Sequence, residues 1–418
     1  MILSKLAQGI QTSPIITLAA DINEKIQQGE KFYNLTIGDF NPQIFPIPEE
    51  FRDEIIAAYR AGYTNYPGAL GLPNLRNAVS QLLARYARLN YDPEDIVISC
   101  GARPLLYSAY RAVVDPGDSV IFPVPSWNND YYTHLSFGKQ VLIETRPEDN
   151  FMPTAEAIKP QLKDAALIAL CSPLNPTGTV FGKQQLEDIC DLVLEENHSR
   201  GPNRKPVYLL FDQIYWQLTF GDNRHYTPVN LRPAIRDYTV FVDGMSKAFA
   251  GTGVRLGWGF APAHILKKMR TIISHMGAWA PRAEQFAAGS YLAQTEAVER
   301  YLTHFRKELL LRLEGFYKGF IYLNGKGYPV DAIKPQAAIY LTVQLNLRGK
   351  KTPDGKVLDS NAAVHRYILD EAKIGLVPMP YFGASQESSW YRLSVGTCRL
   401  QEVELIISSL EEALKQLS

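Results

Sequence analysis

Between residues 96 and 260 short apolar runs alternate with stretches whose apolar positions recur every three to four residues. The runs are Ile96–Ser99, Val120–Val124, Leu167–Cys171, Val207–Phe211, Thr239–Val242 and Leu256–Phe260. Each has the length and apolar continuity of a strand buried on both faces. Helical spacing marks 51–60, 74–88, Leu105–Val114, Lys183–Glu195 and His264–His275. Strands alternating with helices predict an α/β fold with a mostly parallel sheet flanked by helices. The rhythm then changes. A long helical stretch, Ala283–Tyr317, leads to a strand-like Gln336–Gln344 and a polar segment, Leu347–Ser360, that reads as a solvated loop. A helix at Asn361–Lys373, a strand at Trp390–Val395 and a helix at Gln401–Leu417 follow. This pattern predicts a large domain over 49–295 and a smaller α+β domain over 296–418, joined by an N-terminal segment, 1–48.

Composition narrows the function classes. The 418 residues carry 43 basic and 43 acidic side chains, for a net charge of zero. Nucleic-acid binders carry a basic surplus, and retention on anionic lipid by charge alone needs one too. Hydrophobic residues at 46% and charged residues at 21% exclude a disordered or fibrous chain. Cys100, Cys171, Cys190 and Cys398 form no C-x-x-C pair and read as small buried hydrophobes in a reducing compartment. The seven histidines show no metal-ligand spacing. The apolar stretch Pro14–Ala20 lacks the flanks of a secretory signal, and no window matches a membrane span. A soluble cytoplasmic protein is the expectation.

In an open parallel sheet ligands bind beyond the carboxyl ends of the strands. Five successive strand ends here carry chemically distinct groups: Gly101-Ala102-Arg103, Trp127, Asn175, the pair Asp212 and Tyr215, and Ser246-Lys247. A helix start after glycine offers free N–H groups to a phosphate, and Ser246 and Arg255 add further donors. An aromatic face stacks on a planar ring. A buried carboxylate holds a ring nitrogen protonated. A lysine with a depressed pKa forms a Schiff base with an aldehyde. Phosphate, flat ring, ring nitrogen and aldehyde together describe pyridoxal 5′-phosphate.

Motifs along the chain carry a family resemblance. They are Leu35-Thr36-Ile37-Gly38, Asn65-Tyr66-Pro67-Gly68 with Gly71-Leu72-Pro73, Ser172–Gly178, Phe211–Tyr215, Ser246–Gly257 and Tyr391–Gly396. The sequence resembles the pyridoxal phosphate-dependent class I/II aminotransferases of fold type I, near the aspartate aminotransferases. The resemblance implies that Lys247 forms the internal aldimine and then moves the proton between substrate and cofactor. Asp212 matches the pyridinium partner. Tyr215 and Asn175 match the groups that bond the ring oxygen, with Asn175 also helping to hold the substrate carboxylate. Trp127 matches the ring-stacking position. The backbone of Ala102 and Arg103, with Ser246, Arg255 and Tyr66 from a second subunit, would form the phosphate cup, which implies a homodimer with shared sites. Arg392 matches the arginine that clamps the α-carboxylate, and Gly38 the glycine whose backbone lies against it. The sequence departs from the pattern at Gly244, where many members have Ser or Thr, and at Ala102 and Pro104 in the phosphate loop.

The resemblance leaves the substrate open. Residues 273–281 lack the arginine with which some members read a distal carboxylate, the next one being Arg282. Arg103 stands where another subgroup has a basic residue, so it is expected to read the side-chain carboxylate of aspartate or glutamate. Met276 and Trp279 equally suit an aromatic substrate. The expectation is ping-pong transfer from an L-amino acid to a 2-oxo acid such as 2-oxoglutarate. A β-lyase of the same fold is the nearest alternative. A cofactor-sensing regulator lacks room for a DNA-binding domain, and a catalytically dead binding protein would not need Lys247, Asp212 and Arg392.

Overall fold

The computed structural model describes residues 3–418. Seven strands form the central sheet: β1 Ile96–Ser99, β2 Ser119–Val124, β3 Lys139–Glu144, β4 Ala165–Cys171, β5 Tyr208–Asp212, β6 Thr239–Gly244 and β7 Gly257–Phe260. Their order is β1-β7-β6-β5-β4-β2-β3. Only β7 runs antiparallel to its neighbours. β4 and β6 are apolar along almost their whole length and lie buried between helical layers. The sheet is therefore of the α/β kind expected.

β3 is absent from the sequence reading. Its residues, Lys-Gln-Val-Leu-Ile-Glu, are mostly exposed, and polar positions suit a sheet edge that must not recruit other strands. A four-stranded antiparallel sheet follows, with β8 Val330–Ala332, β9 Tyr340–Leu345, β10 Val377–Pro378 and β11 Trp390–Ser394 in the order β10-β11-β9-β8. Near the N-terminus, Tyr33–Asn34 pairs in parallel with Ile374–Gly375.

Several boundaries differ from expectation. The helix expected at Leu105–Val114 begins at Ala102 and ends at Val113, because a proline in the first helical turn has no intrahelical N–H to lose. The stretch Ala283–Tyr317 is two helices, Arg282–Leu292 and Thr295–Gly325, broken at Gln294 with ψ 78°. No glycine or proline marks that break. The segments 74–88 and Asn361–Lys373 each begin as α-helix and finish in one π-helical turn, closed by left-handed Arg88 (φ 55°) and Lys373 (φ 58°). Gln336–Gln344 becomes a strand only from Tyr340, since Ala338 (φ 62°) turns the chain first. The 347–360 segment is a turn rather than a free loop, with Lys351 bridged to Val357 and Leu347 and Leu358 buried. Pro14–Ala20 opens the helix Pro14–Gln27, whose Ile15, Leu18 and Ile22 face inward.

Candidate active site

The sheet order brings the strand ends together. Cys171 and Asp212 close β4 and β5 side by side, with Val242 near the end of β6 beside them. Because β7 runs the opposite way, it delivers its first residues to this same edge. Arg255, two residues before β7, thereby reaches the N-terminus of helix Ala102–Val113. Its guanidinium donates to the Cys100 and Thr252 carbonyls. A side chain at Gly101 (φ 92°) would run into that guanidinium, and one at Gly257 into the Gly101 backbone. The two glycines and Arg255 thus keep a cationic cradle open at the helix start. Gly244 has no such latitude, since a Cβ there would stand 2.6 Å from the Leu256 carbonyl oxygen. The hydroxyl expected here from the family resemblance does not fit this backbone.

A cavity of about 440 Å³ opens from the cradle. Its lining includes Gly38, Ala102, Arg103, Trp127, Asn175, Asp212, Tyr215, Ser246, Lys247, Arg255 and Arg392. Of the expected site residues only Tyr66 lies elsewhere. It is 82% exposed and meets Trp279 edge-on at 5.3 Å. Three lining groups escaped the sequence reading. Asp39 directly follows the Leu-Thr-Ile-Gly motif, whose Thr36 also lines the cavity, and it accepts a hydrogen bond from Thr252 at 2.6 Å. Tyr340 comes from β9, and its hydroxyl meets that of Tyr215 at 2.7 Å. Ile15, Ile16 and Ala19 come from helix Pro14–Gln27. Asp39 alone had a local signal, its place directly after Gly38.

Electrostatics separates the groups into roles. The Lys247 ammonium donates to the Gly38 carbonyl at 2.6 Å. Burial brings its pKa down to about 8, with Arg392, Arg103 and Arg255 adding to the shift and Asp39 opposing it. Burial pushes the Asp212 carboxyl up to about 6, against the Ile214 amide it accepts from at 3.0 Å and the charge of Lys247. Its neighbour Asp243 is fully buried and accepts from the Trp216 indole and the Gly244 amide, both at 2.7 Å.

Arg392 is 2% exposed and forms no ion pair with any described residue. It donates to Asn175 Oδ1 at 2.9 Å and to the Thr36 carbonyl at 2.6 Å, with the Tyr340 and Phe382 rings packed on it. Its Nε has no partner. A buried cation without a counter-charge is costly, so a pocket that holds one is built for an anionic ligand. Arg103 is exposed, and its guanidinium sits over the Trp127 ring at 5.5 Å. Among the described residues no cluster of three metal-ligating side chains occurs.

The residues fit pyridoxal phosphate. The cradle suits a phosphate, Asp212 suits a protonated ring nitrogen and Lys247 suits an aldehyde. The shifted lysine also makes a stability prediction for the cofactor-free protein. The unfolded chain keeps the Lys247 proton up to its ordinary 10.5, whereas the folded chain releases it near 8. Between these values the unfolded state binds more protons, so this residue makes stability rise with pH. In urea unfolding from pH 8 to 10.5 the pH slope of stability is expected to be more positive in wild type than in Lys247→Met. Identical pH slopes would contradict the assigned environment.

A family model described as aminotransferase class I and II matches residues 30–410. An aspartate aminotransferase of Bacillus sp. (strain YM-2) is 30% identical over 414 residues, covering 98% of this chain and 99% of that protein. The crystal structure of the aspartate aminotransferase from Rhizobium meliloti superposes with a TM-score of 0.90 at 26% identity, covering both chains completely. An aromatic aminotransferase from Pyrococcus horikoshii OT3 superposes with a TM-score of 0.81 at 26% identity, over 94% of this chain and 98% of that one.

Proposed function

The chain belongs to the class I and II aminotransferase family, and we propose that it uses pyridoxal phosphate to move the amino group of an L-amino acid to a 2-oxo acid. One observation carries this reading: a single cavity joins a lysine held near pKa 8, a carboxyl raised to about 6, and a buried arginine with no acidic partner. Bound there, the cofactor supplies an electrophilic carbon and an electron-withdrawing ring.

The protein's own groups do the rest. With its pKa near 8, Lys247 is available as a neutral amine at mildly alkaline pH, able to attack and then to carry a proton. Asp212 holds the proton on the ring nitrogen. Tyr215 and Asn175 bond the ring oxygen, and Trp127 covers a ring face. The Ala102 and Arg103 amides, Ser246 and Arg255 take the phosphate. Arg392 grips the substrate α-carboxylate beside Gly38, at the edge where Asn175 already fixes its guanidinium. Tyr66 is exposed in the single chain, which suits its assignment to the phosphate cup of a partner subunit in a homodimer.

Aspartate is the donor we assign first, with 2-oxoglutarate as a fitting acceptor. Arg103 lines the cavity, forms no ion pair with a described residue and rests on Trp127, so it is free to meet a distal carboxylate. Ile15 and Ile16 add apolar surface that an aromatic side chain can use. A donor panel with 2-oxoglutarate tests the assignment. Arg103→Ala is expected to lower kcat/KM for aspartate by about 10- to 100-fold, the worth of a hydrogen bond between charged groups. Phenylalanine is expected to change less than about threefold, well under the loss of a charged contact. An equal loss on both donors removes Arg103 from side-chain recognition.

We further infer a large domain over 49–295 and a small one over 296–418, to which 1–48 attaches through the Tyr33–Asn34 pairing. The four free thiols fit a reducing cytoplasm. Among the described residues no helix is long and apolar enough to cross a membrane.

A further inference from the structure

A second cavity, of about 810 Å³, lies apart from the catalytic one. Its walls are the turn Tyr86–Arg88, the loop that follows β5 from Trp216 to Asn230, and the first turns of helix Thr295–Gly325. Three guanidiniums line it: Arg88, Arg224 and Arg306. None of them forms an ion pair with a described residue. The one carboxylate of the lining, Glu299, accepts the Tyr86 hydroxyl at 3.1 Å.

The wall also holds polar groups that the protein does not satisfy. Arg306 is half-buried, and its single hydrogen bond, to the Gln217 carbonyl, is long at 3.4 Å. Gln217 is 6% exposed, and its Nε2 has no partner. Neither ring nitrogen of His225 has one. Burial keeps that imidazole neutral near pH 7, so it offers one N–H donor and no charge. Native proteins rarely leave buried donors unpaired, and the half-buried Arg306 without a counter-charge raises the cost, while Arg88 and Arg224 reach the cavity from exposed positions.

We propose that this cavity is a second ligand site, taking a small oxyanion with two or more negative charges. Guanidiniums fork onto phosphate and carboxylate oxygens alike, so either chemistry satisfies the wall. The proposal does not depend on the transaminase reading, because none of these residues lies in the catalytic cavity.

Calorimetric titration of the cofactor-loaded protein with sodium phosphate, and separately with succinate, tests it. Saturable binding with Kd of about 1 mM or tighter is expected for at least one of the two. The Arg88→Ala/Arg224→Ala variant is expected to weaken that binding at least about tenfold, the worth of one hydrogen bond between charged groups. Turnover in the absence of added anion stays unchanged. Arg224→Ala alone, at an exposed position, is the second variant should the double one lose its thermal transition. Whichever anion binds more tightly identifies the chemistry. Absence of saturable heat with both anions, or binding equal in wild type and variants, overturns the proposal.

Discussion

Lys247→Ala is expected to reduce kcat for transamination by about 10⁴-fold or more, with the fold intact. Positioned acid–base catalysis alone accounts for about 10²- to 10⁴-fold, and this lysine is also the nucleophile, so its loss removes two contributions at once. The geometry makes the residue hard to replace. Its amine is held by the Gly38 carbonyl at 2.6 Å, inside a cavity where burial and three arginines keep it from holding its proton tightly. No second lysine lines that cavity. The variant should keep the thermal transition of wild type, because the lost contact is one hydrogen bond at a cavity wall. Turnover within tenfold of wild type would remove Lys247 from the mechanism.

Arg392→Ala is expected to cost about 10²- to 10⁴-fold in kcat/KM for every amino donor. A charged hydrogen bond is worth about 1.5–3 kcal/mol, and the guanidinium fork makes two of them to a carboxylate. Arg392→Lys keeps the charge but loses the fork and the bond that orients Asn175, so it should recover only part of the activity. The site itself argues for a ligand-binding cation rather than a structural one. A structural arginine at 2% exposure would have an acidic partner, and removing it would strand that partner. Arg392 has carbonyl and amide acceptors and two aromatic rings around it instead. The alanine variant is therefore expected to fold. Uniform loss across aspartate, glutamate and phenylalanine separates it from Arg103→Ala, whose effect falls on the distal carboxylate. Unchanged KM and kcat in Arg392→Ala would contradict its role.

The pocket was readable from the chain wherever a motif sits at a strand end. Asn175, Asp212 and Lys247 all follow an apolar run, and the alternation of such runs with helices places them at one edge. What could not be read has a common cause, the dependence on a neighbour distant in sequence. Tyr340 looks like one more apolar residue of a strand, yet β9 brings its hydroxyl to Tyr215, 125 residues away in the chain. Arg255 reaches the phosphate cradle only because β7 is antiparallel, which its short apolar run does not encode. Ile15 and Ile16 belong to a helix whose docking on the cavity is set by tertiary packing. The break at Gln294 and the polar edge strand β3 carry no local mark, since neither requires a special residue. Gly244 shows the opposite case. The sequence marked it as a missing hydroxyl, and the backbone of Leu256 and Gly257 shows why no side chain is there.

The most direct test of the central claim is the absorption spectrum of the protein purified with pyridoxal phosphate. The account predicts a visible band beyond the range of tyrosine and tryptophan. That band should change on adding aspartate, return on adding 2-oxoglutarate, and be missing in Lys247→Ala after dialysis. A wild-type protein without such a band, or with one that ignores amino acids, would contradict it.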